Sequence, residues 1–180
     1  IRNLNLNVKS SVECKNYFTT KDNKKNLIII GQVIDDISLF NSDNIYFSSI
    51  NTYEWIINLG ISNGYDVIFK LHPWEKRKLG KFYTKSYLNI SNITILIDEE
   101  IDEYLNEQSL IFSISSQYLL YYAVLYGKRC ICFDTYFSLE GSFINLKNES
   151  LDLDNLNPNL SIEEYRKIIL FLYFIFYLDK

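Results

Sequence analysis

The class this sequence predicts is an α/β fold built on a parallel sheet, and three observations predict it. From Asn26 onward, short β-branched runs that are almost continuously apolar recur, as buried parallel strands do. Helical patterns alternate with these runs, the arrangement of successive βαβ units. The 180 residues, 48% hydrophobic and 22% charged, suit one well-packed core.

The strand-like runs are Asn26 to Gly31, Tyr65 to His72, Ile93 to Asp98, Leu110 to Ser115 and Arg129 to Asp134. Between them the pattern predicts a helix over 51–62, after Ser49 and before Asn63-Gly64, and a weaker one over 76–87. A short helix over 101–106 and one over 117–126, stopped by Gly127, complete the series. Right-handed crossovers then give a Rossmann-like parallel sheet of at least five strands, with helices on both faces. Residues 1–25 read as a linker or edge strand, 26–144 as the Rossmann-like domain, and 145–180 as a loop and C-terminal helix. That last helix opens on a capping box, Ser161 with Glu164 three residues on.

A formal net charge of −4 and scattered lysines and arginines exclude the basic stripe of a nucleic-acid binder, so no nucleic-acid partner is expected. Cys14, Cys130 and Cys132 are odd in number, and the close pair alternates along a strand rather than forming a metal-type CxxC, so no metal is expected. A reducing cytoplasm suits these thiols. The most apolar run, Ile168 to Leu178, is about half of the roughly 20 residues a membrane span requires, which points to a buried or interfacial helix and leaves peripheral membrane association open. With no methionine, the chain is expected to be a fragment of something longer.

In open parallel sheets ligands bind beyond the carboxyl ends of the strands. Three such places carry chemistry: GQVIDDIS after the first strand, KLHPWE after the second and SISSQ after the fourth. His72, the one histidine, is followed by Pro73, which fixes the backbone after it. An imidazolium there, with Lys70 flanking it, could bond a phosphate oxygen; the plain alternative is a histidine that closes a loop. A carboxylate of the Asp35-Asp36 pair could serve as nucleophile or base at a sugar's anomeric carbon, or the pair with Ser38 could simply cap a turn. The hydroxyls of Ser115 and Ser116, with the free N–H groups of the helix they precede, could hold a phosphate, or Ser116 could be an N-cap and nothing more.

Taken together, GQVIDDIS, VIFKLHPWE, and SISSQ before a helix ending in YGKRCICFD resemble the bacterial capsule-polysaccharide synthesis family that includes the Kdo transferases, over roughly 27–141. The resemblance implies one half of a GT-B fold, the C-terminal half that binds a CMP-activated sugar, Kdo-like or sialic-acid-like, with the N-terminal domain missing. Residue by residue, Asp36 matches the catalytic aspartate of the Q-x-x-x-D element and Gln32 its glutamine. His72 and Pro73 match the HP motif at the nucleotide phosphate, and Ser116 the serine before the donor-binding helix. The chain departs from the family where a glutamate commonly precedes the helix alanine, here Tyr122 before Ala123, and where YFSLEG replaces a Gly/Trp-rich loop, with Glu140 the only substitute in sight.

The expected catalytic residues are thus Asp36 and His72, and the expected nucleotide-binding residues Gln32, Lys70, Pro73, Ser115 and Ser116. The expected partners are a nucleotide-sugar donor and a glycan or glycolipid acceptor, with no other cofactor, at the cytoplasmic face of the membrane or in the cytoplasm. Bacterial sialyltransferases carry similar HP and paired-serine motifs. The rival readings are a CDP-polyol phosphotransferase of the teichoic-acid type and a non-catalytic Rossmann-like binding domain.

Overall fold

The computed structural model describes residues 24–33, 49–74, 93–116, 118–132, 143–145, 151–153 and 155–177. The expected helix over 76–87, together with Asp35, Asp36, Ser38, Cys14, Gln117 and Glu140, lies outside the described residues. The strands are β1 (Asn26–Ile30), β2 (Asp66–Lys70), β3 (Ile93–Leu96), β4 (Leu110–Ser113), β5 (Cys130–Cys132) and β6 (Phe143–Asn145). They form one six-stranded sheet in the order β3-β2-β1-β4-β5-β6. Every neighbouring pair is parallel. The sixth strand extends the five read from sequence; three residues between polar segments carry no periodicity of their own, and pairing with β5 is what makes them a strand.

Helix α1 (Ser49–Ser62) covers one face of this sheet, while α2 (Tyr118–Tyr126) and α3 (Ile162–Tyr177) cover the other. Alternation along β1 shows the division: Leu27 and Ile29 pack with Tyr53, Ile56 and Ile57 of α1, whereas Ile28 and Ile30 pack with Leu119 and Ala123 of α2. All five residues of β1 are buried: Leu27 to Ile30 are apolar accordingly, and the amide of Asn26 donates to Tyr104 O at 2.7 Å. Helix α1 lies so close to the sheet that a β-carbon on Gly60 would stand 2.6 Å from Leu27 Cδ2 and 3.1 Å from Val67 Cγ2.

Several elements are shorter than their sequence patterns, each for a local reason. β3 stops at Leu96 because the Glu99 carboxylate takes the N–H groups of Ile97 (2.8 Å) and Asp98 (3.2 Å) that would continue the ladder. The expected helix over 101–106 is a single 3-10 turn, Asp102–Tyr104. Buried Ile101 and Leu105 anchor both its ends, and Asn106 diverts the following backbone by accepting the Gln108 N–H at 2.9 Å and donating to Lys24 O at 3.0 Å.

The polar stretch before α3 is more than a loop. Leu151, Leu153 and Leu156 pack against the α1 side of the core, and Tyr65 donates to Leu153 O at 3.2 Å. The capping box forms as written in the sequence, with Ser161 N–H donating to Glu164 Oε2 at 2.7 Å and Glu164 N–H to Ser161 Oγ at 3.2 Å. Ile168 is fully buried beneath α3, whereas Ile162, Ile169, Leu170 and Tyr173 are exposed. No helix among the described residues is long and apolar enough to cross a membrane.

Candidate functional site

The strand order places a topological switch between β1 and β4: the chain builds outward through β2 and β3, then returns to the other side of β1 for β4, β5 and β6. A crevice beyond the carboxyl ends of the strands at such a switch is where open α/β sheets bind ligands. The pairing Ile30↔Lys70 on one side and Ile29↔Phe112 on the other, continued past the strand ends, brings Gln32, His72 and Ser115 to matching positions on three adjacent strands. Sequence positions 32, 72 and 115 therefore meet at one rim.

Gln32 is buried, and its amide spans the switch. Its Oε1 accepts the Ser115 N–H at 2.8 Å, and its Nε2 donates to Ser115 Oγ at 3.1 Å. Ser113 has one hydroxyl hydrogen, which the Ile30 carbonyl takes at 2.7 Å, so its 3.3 Å approach to Gln32 Oε1 is the weaker branch. The Gln32 N–H donates to the hydroxyl of Tyr53 at 2.9 Å, from a ring wholly buried under α1 and set edge-on to Phe69 at 5.0 Å. One residue earlier, Gly31 N–H donates to Lys70 O at 2.9 Å; a β-carbon on Gly31 would stand 2.9 Å from that same oxygen, so only glycine lets the strands approach this closely.

His72, half-buried, closes its own turn. The backbone N–H of Trp74 donates to His72 Nδ1 at 3.1 Å, past Pro73 in the turn. A backbone nitrogen can only donate, so Nδ1 accepts and the neutral ring carries its hydrogen on Nε2. This contact leaves Nε2 as the ring atom not engaged in closing the turn. Trp74 itself is 58% exposed.

Lys70 sits on the same rim, but its ammonium donates to the carbonyls of Ile97 (3.2 Å) and Glu99 (2.5 Å) and so braces the turn after β3. The carboxyl of Glu99 in that turn is held below the usual carboxylate range by backbone N–H groups, its own first and then that of Ile97. Ser116 caps α2, its Oγ accepting the Tyr118 N–H at 3.2 Å. Where the resembling family carries a glutamate, Tyr122 stacks on Tyr126 with centroids 6.0 Å apart, and burial first, then Glu100 and Asp102, push its hydroxyl up to about 12.

The structure thus joins Gln32 with Ser115 directly and sets His72 and Ser116 on the same rim, while Lys70 turns toward β3 and Asp36 lies outside the described residues. Two residues that the sequence reading passed over belong to this rim. Tyr53 is the polar-tipped member of the buried stripe Tyr53, Ile56, Ile57, and Ser113 is a polar residue in an otherwise apolar strand, both of which are visible sequence signals.

The profile of the family described as Alpha-2,8-polysialyltransferase (POLYST) matches residues 2–135. No curated protein matches the chain in sequence. Among solved structures the chain is similar to the Thermosulfurimonas dismutans KpsC beta Kdo 2,4 transferase, with TM-score 0.54 and 16% identity over 83% of this chain and 45% of that one. It is similar to the beta Kdo 2,7 transferase of the same organism's KpsC, with TM-score 0.50 and 18% identity over 83% and 46% of the two chains. A UDP-GlcNAc 2-epimerase from Methanocaldococcus jannaschii, solved with UDP-GlcNAc and UDP, gives TM-score 0.50 and 17% identity over 92% and 49%. At these identities the likeness is one of fold, and the chain spans about half the length of each of these structures.

Proposed function

The chain belongs to the alpha-2,8-polysialyltransferase (POLYST) family, and on that premise we propose that it is the donor-binding half of a glycosyltransferase of capsular or surface polysaccharide synthesis. The donor is a CMP-activated acidic sugar of the sialic-acid or Kdo type. The acceptor, a glycan or glycolipid, is met by the remainder of a longer protein, in keeping with a chain about half the length of its structural neighbours. The enzyme works in the cytoplasm or at the inner face of the membrane.

The observation that carries this reading is the rim at the β1/β4 switch, where Gln32, His72, Ser115 and Ser116 meet. His72 Nε2–H donates to the single phosphate of the nucleotide, and the α2 N-terminus behind Ser116 offers backbone N–H groups and a favourable dipole to the same negative charge. Asp36, four residues beyond Gln32, supplies the carboxylate that acts at the anomeric carbon as CMP departs. Pro73 holds the His72 turn. Lys70 contributes positive charge at the rim while bracing the neighbouring turn.

Titration of the full-length enzyme with CMP and with CDP-glycerol tests this. Micromolar to millimolar binding of CMP, with transfer abolished and CMP binding kept in Asp36→Asn, is the expected result. Preferential binding of CDP-glycerol would turn the assignment to a polyol phosphotransferase, and binding of neither would turn it to a non-catalytic module.

A further inference from the structure

The rim divides into two chemically different halves. On the β1 and β4 side it is polar, with the Gln32 amide, Ser115 and the Ser116 hydroxyl that caps α2. On the side of β2 and β3, which pair directly at Lys70↔Leu96, two large apolar side chains follow the strand ends and are exposed, Trp74 at 58% and Ile97 at 37%. The turn after β3 adds a third feature there, the exposed acidic residues Asp98, Glu99 and Glu100.

Trp74 is tied to the rim by its backbone. Its N–H donates to His72 Nδ1 at 3.1 Å, so the turn that leaves His72 Nε2 disengaged also fixes where the indole leaves the chain. An indole left mostly in water forgoes the burial that makes tryptophan valuable in a core, and here it does so beside the chain's one histidine.

We propose that Trp74 is the stacking platform for the nucleobase of the donor, with the nucleoside lying over the ends of β2 and β3 and the sugar directed away from them. This assignment rests on the proposed transferase reading. A phosphate held between His72 and the N-terminus of α2 straddles β1, because the strands run in the order β3-β2-β1-β4. The nucleoside and the sugar leave that phosphate in different directions, and one of them passes outward over β2. The acidic sugar carries a carboxylate, which Asp98, Glu99 and Glu100 repel. Cytosine is uncharged near neutral pH, its flat π face suits an indole, and its exocyclic amine is a donor that carboxylates favour. Charge and shape therefore send the base, not the sugar, to the Trp74 side.

The test uses CMP, which has the base and no donor sugar, with the full-length enzyme and its Trp74→Ala and Trp74→Phe variants. Both variants keep the backbone N–H that closes the His72 turn. CMP affinity should fall about ten- to a hundred-fold in Trp74→Ala, the loss typical of one base–aromatic stack, and stay within about threefold of wild type in Trp74→Phe, with the melting temperature kept in both. Saturating CMP should quench part of the wild-type tryptophan emission, and that quenching should be missing from Trp74→Phe. CMP binding that is unchanged in Trp74→Ala, or quenching that persists in Trp74→Phe, overturns the platform and leaves the transferase reading standing. A wild-type enzyme that binds no cytidine nucleotide overturns the transferase reading and the platform with it.

Discussion

The side-chain oxygen of Gln32 accepts the backbone N–H of Ser115 at 2.8 Å, across the point where the sheet changes its direction of growth and between residues 83 positions apart. Gln32→Leu keeps the approximate volume but takes this acceptor from the part-buried Ser115 N–H. The expected cost is about 1–3 kcal/mol of stability, against about 0.5–1.5 kcal/mol for Ser115→Ala, which removes the hydroxyl and spares the backbone bond. Urea unfolding of both variants checks the order; a larger loss in Ser115→Ala would contradict it.

The chain's one histidine makes the tautomer directly observable. Nitrogen-15 spectra of His72 at a pH where the ring is neutral should show the hydrogen on Nε2, because Trp74 N–H occupies Nδ1. His72→Ala should lower CMP affinity about ten- to a hundred-fold with the melting temperature nearly kept. A spectrum dominated by Nδ1–H would refute the assignment, and a large loss of melting temperature with affinity intact would make His72 a turn residue only.

Glu164 joins two elements. It completes the α3 capping box with Ser161 and pairs with the Arg129 guanidinium at 2.8 Å, beside the start of β5. Burial favours its neutral form, but the Ser161 backbone and hydroxyl and the Arg129 charge outweigh that and hold the carboxyl below its ordinary value. A carboxyl with a depressed folded pKa adds stability that is present above its unfolded pKa, near 4.3, and is lost as pH falls through the lower folded value. Glu164→Gln should therefore be less stable than wild type at pH 7, by about 1 kcal/mol, and the gap should shrink as the pH drops below about 4. A gap that is constant with pH would show that the charge is irrelevant.

Lys128 is buried at the amino end of β5, with its ammonium donating to Glu107 O at 2.9 Å and Asn159 Oδ1 at 2.8 Å. Burial lowers its pKa to about 8. Between about 8 and the unfolded value near 10.4 the unfolded chain binds more protons than the folded one, so Lys128 makes stability rise with pH in that window. The Cys130 thiol, pushed up by burial, works in the opposite sense above about 8.5, because folding keeps it protonated. Comparing wild type with Lys128→Met across pH 7.5–10.5, as a range set by these two reference values, isolates the lysine. Wild type should gain stability relative to the variant as pH rises, and a flat difference would count against the shifted pKa.

The fold was legible in the sequence because each of its signals is local. The apolar runs at 27–30, 67–69 and 110–112 lie in strands because residues buried on both faces are mostly apolar, and Ser161 with Glu164 caps α3 through contacts three residues apart. The rim positions of Gln32, His72 and Ser116 followed from the rule that ligand-binding residues succeed strand ends. What the side chains do there was decided by tertiary structure alone. Lys70 turns to Ile97 and Glu99 only because β3 pairs beside β2, and Gln32 is a bridge only because β4 inserts next to β1. Strand order is not written in any local pattern, so neither partner could be named from sequence. The same holds for β6 and for Leu151, Leu153 and Leu156, whose polar surroundings in sequence hide a burial that appears only when the chain packs back on the core. Sequence periodicity reports which faces must leave water; which polar atoms then meet across 83 residues depends on the closure of the sheet.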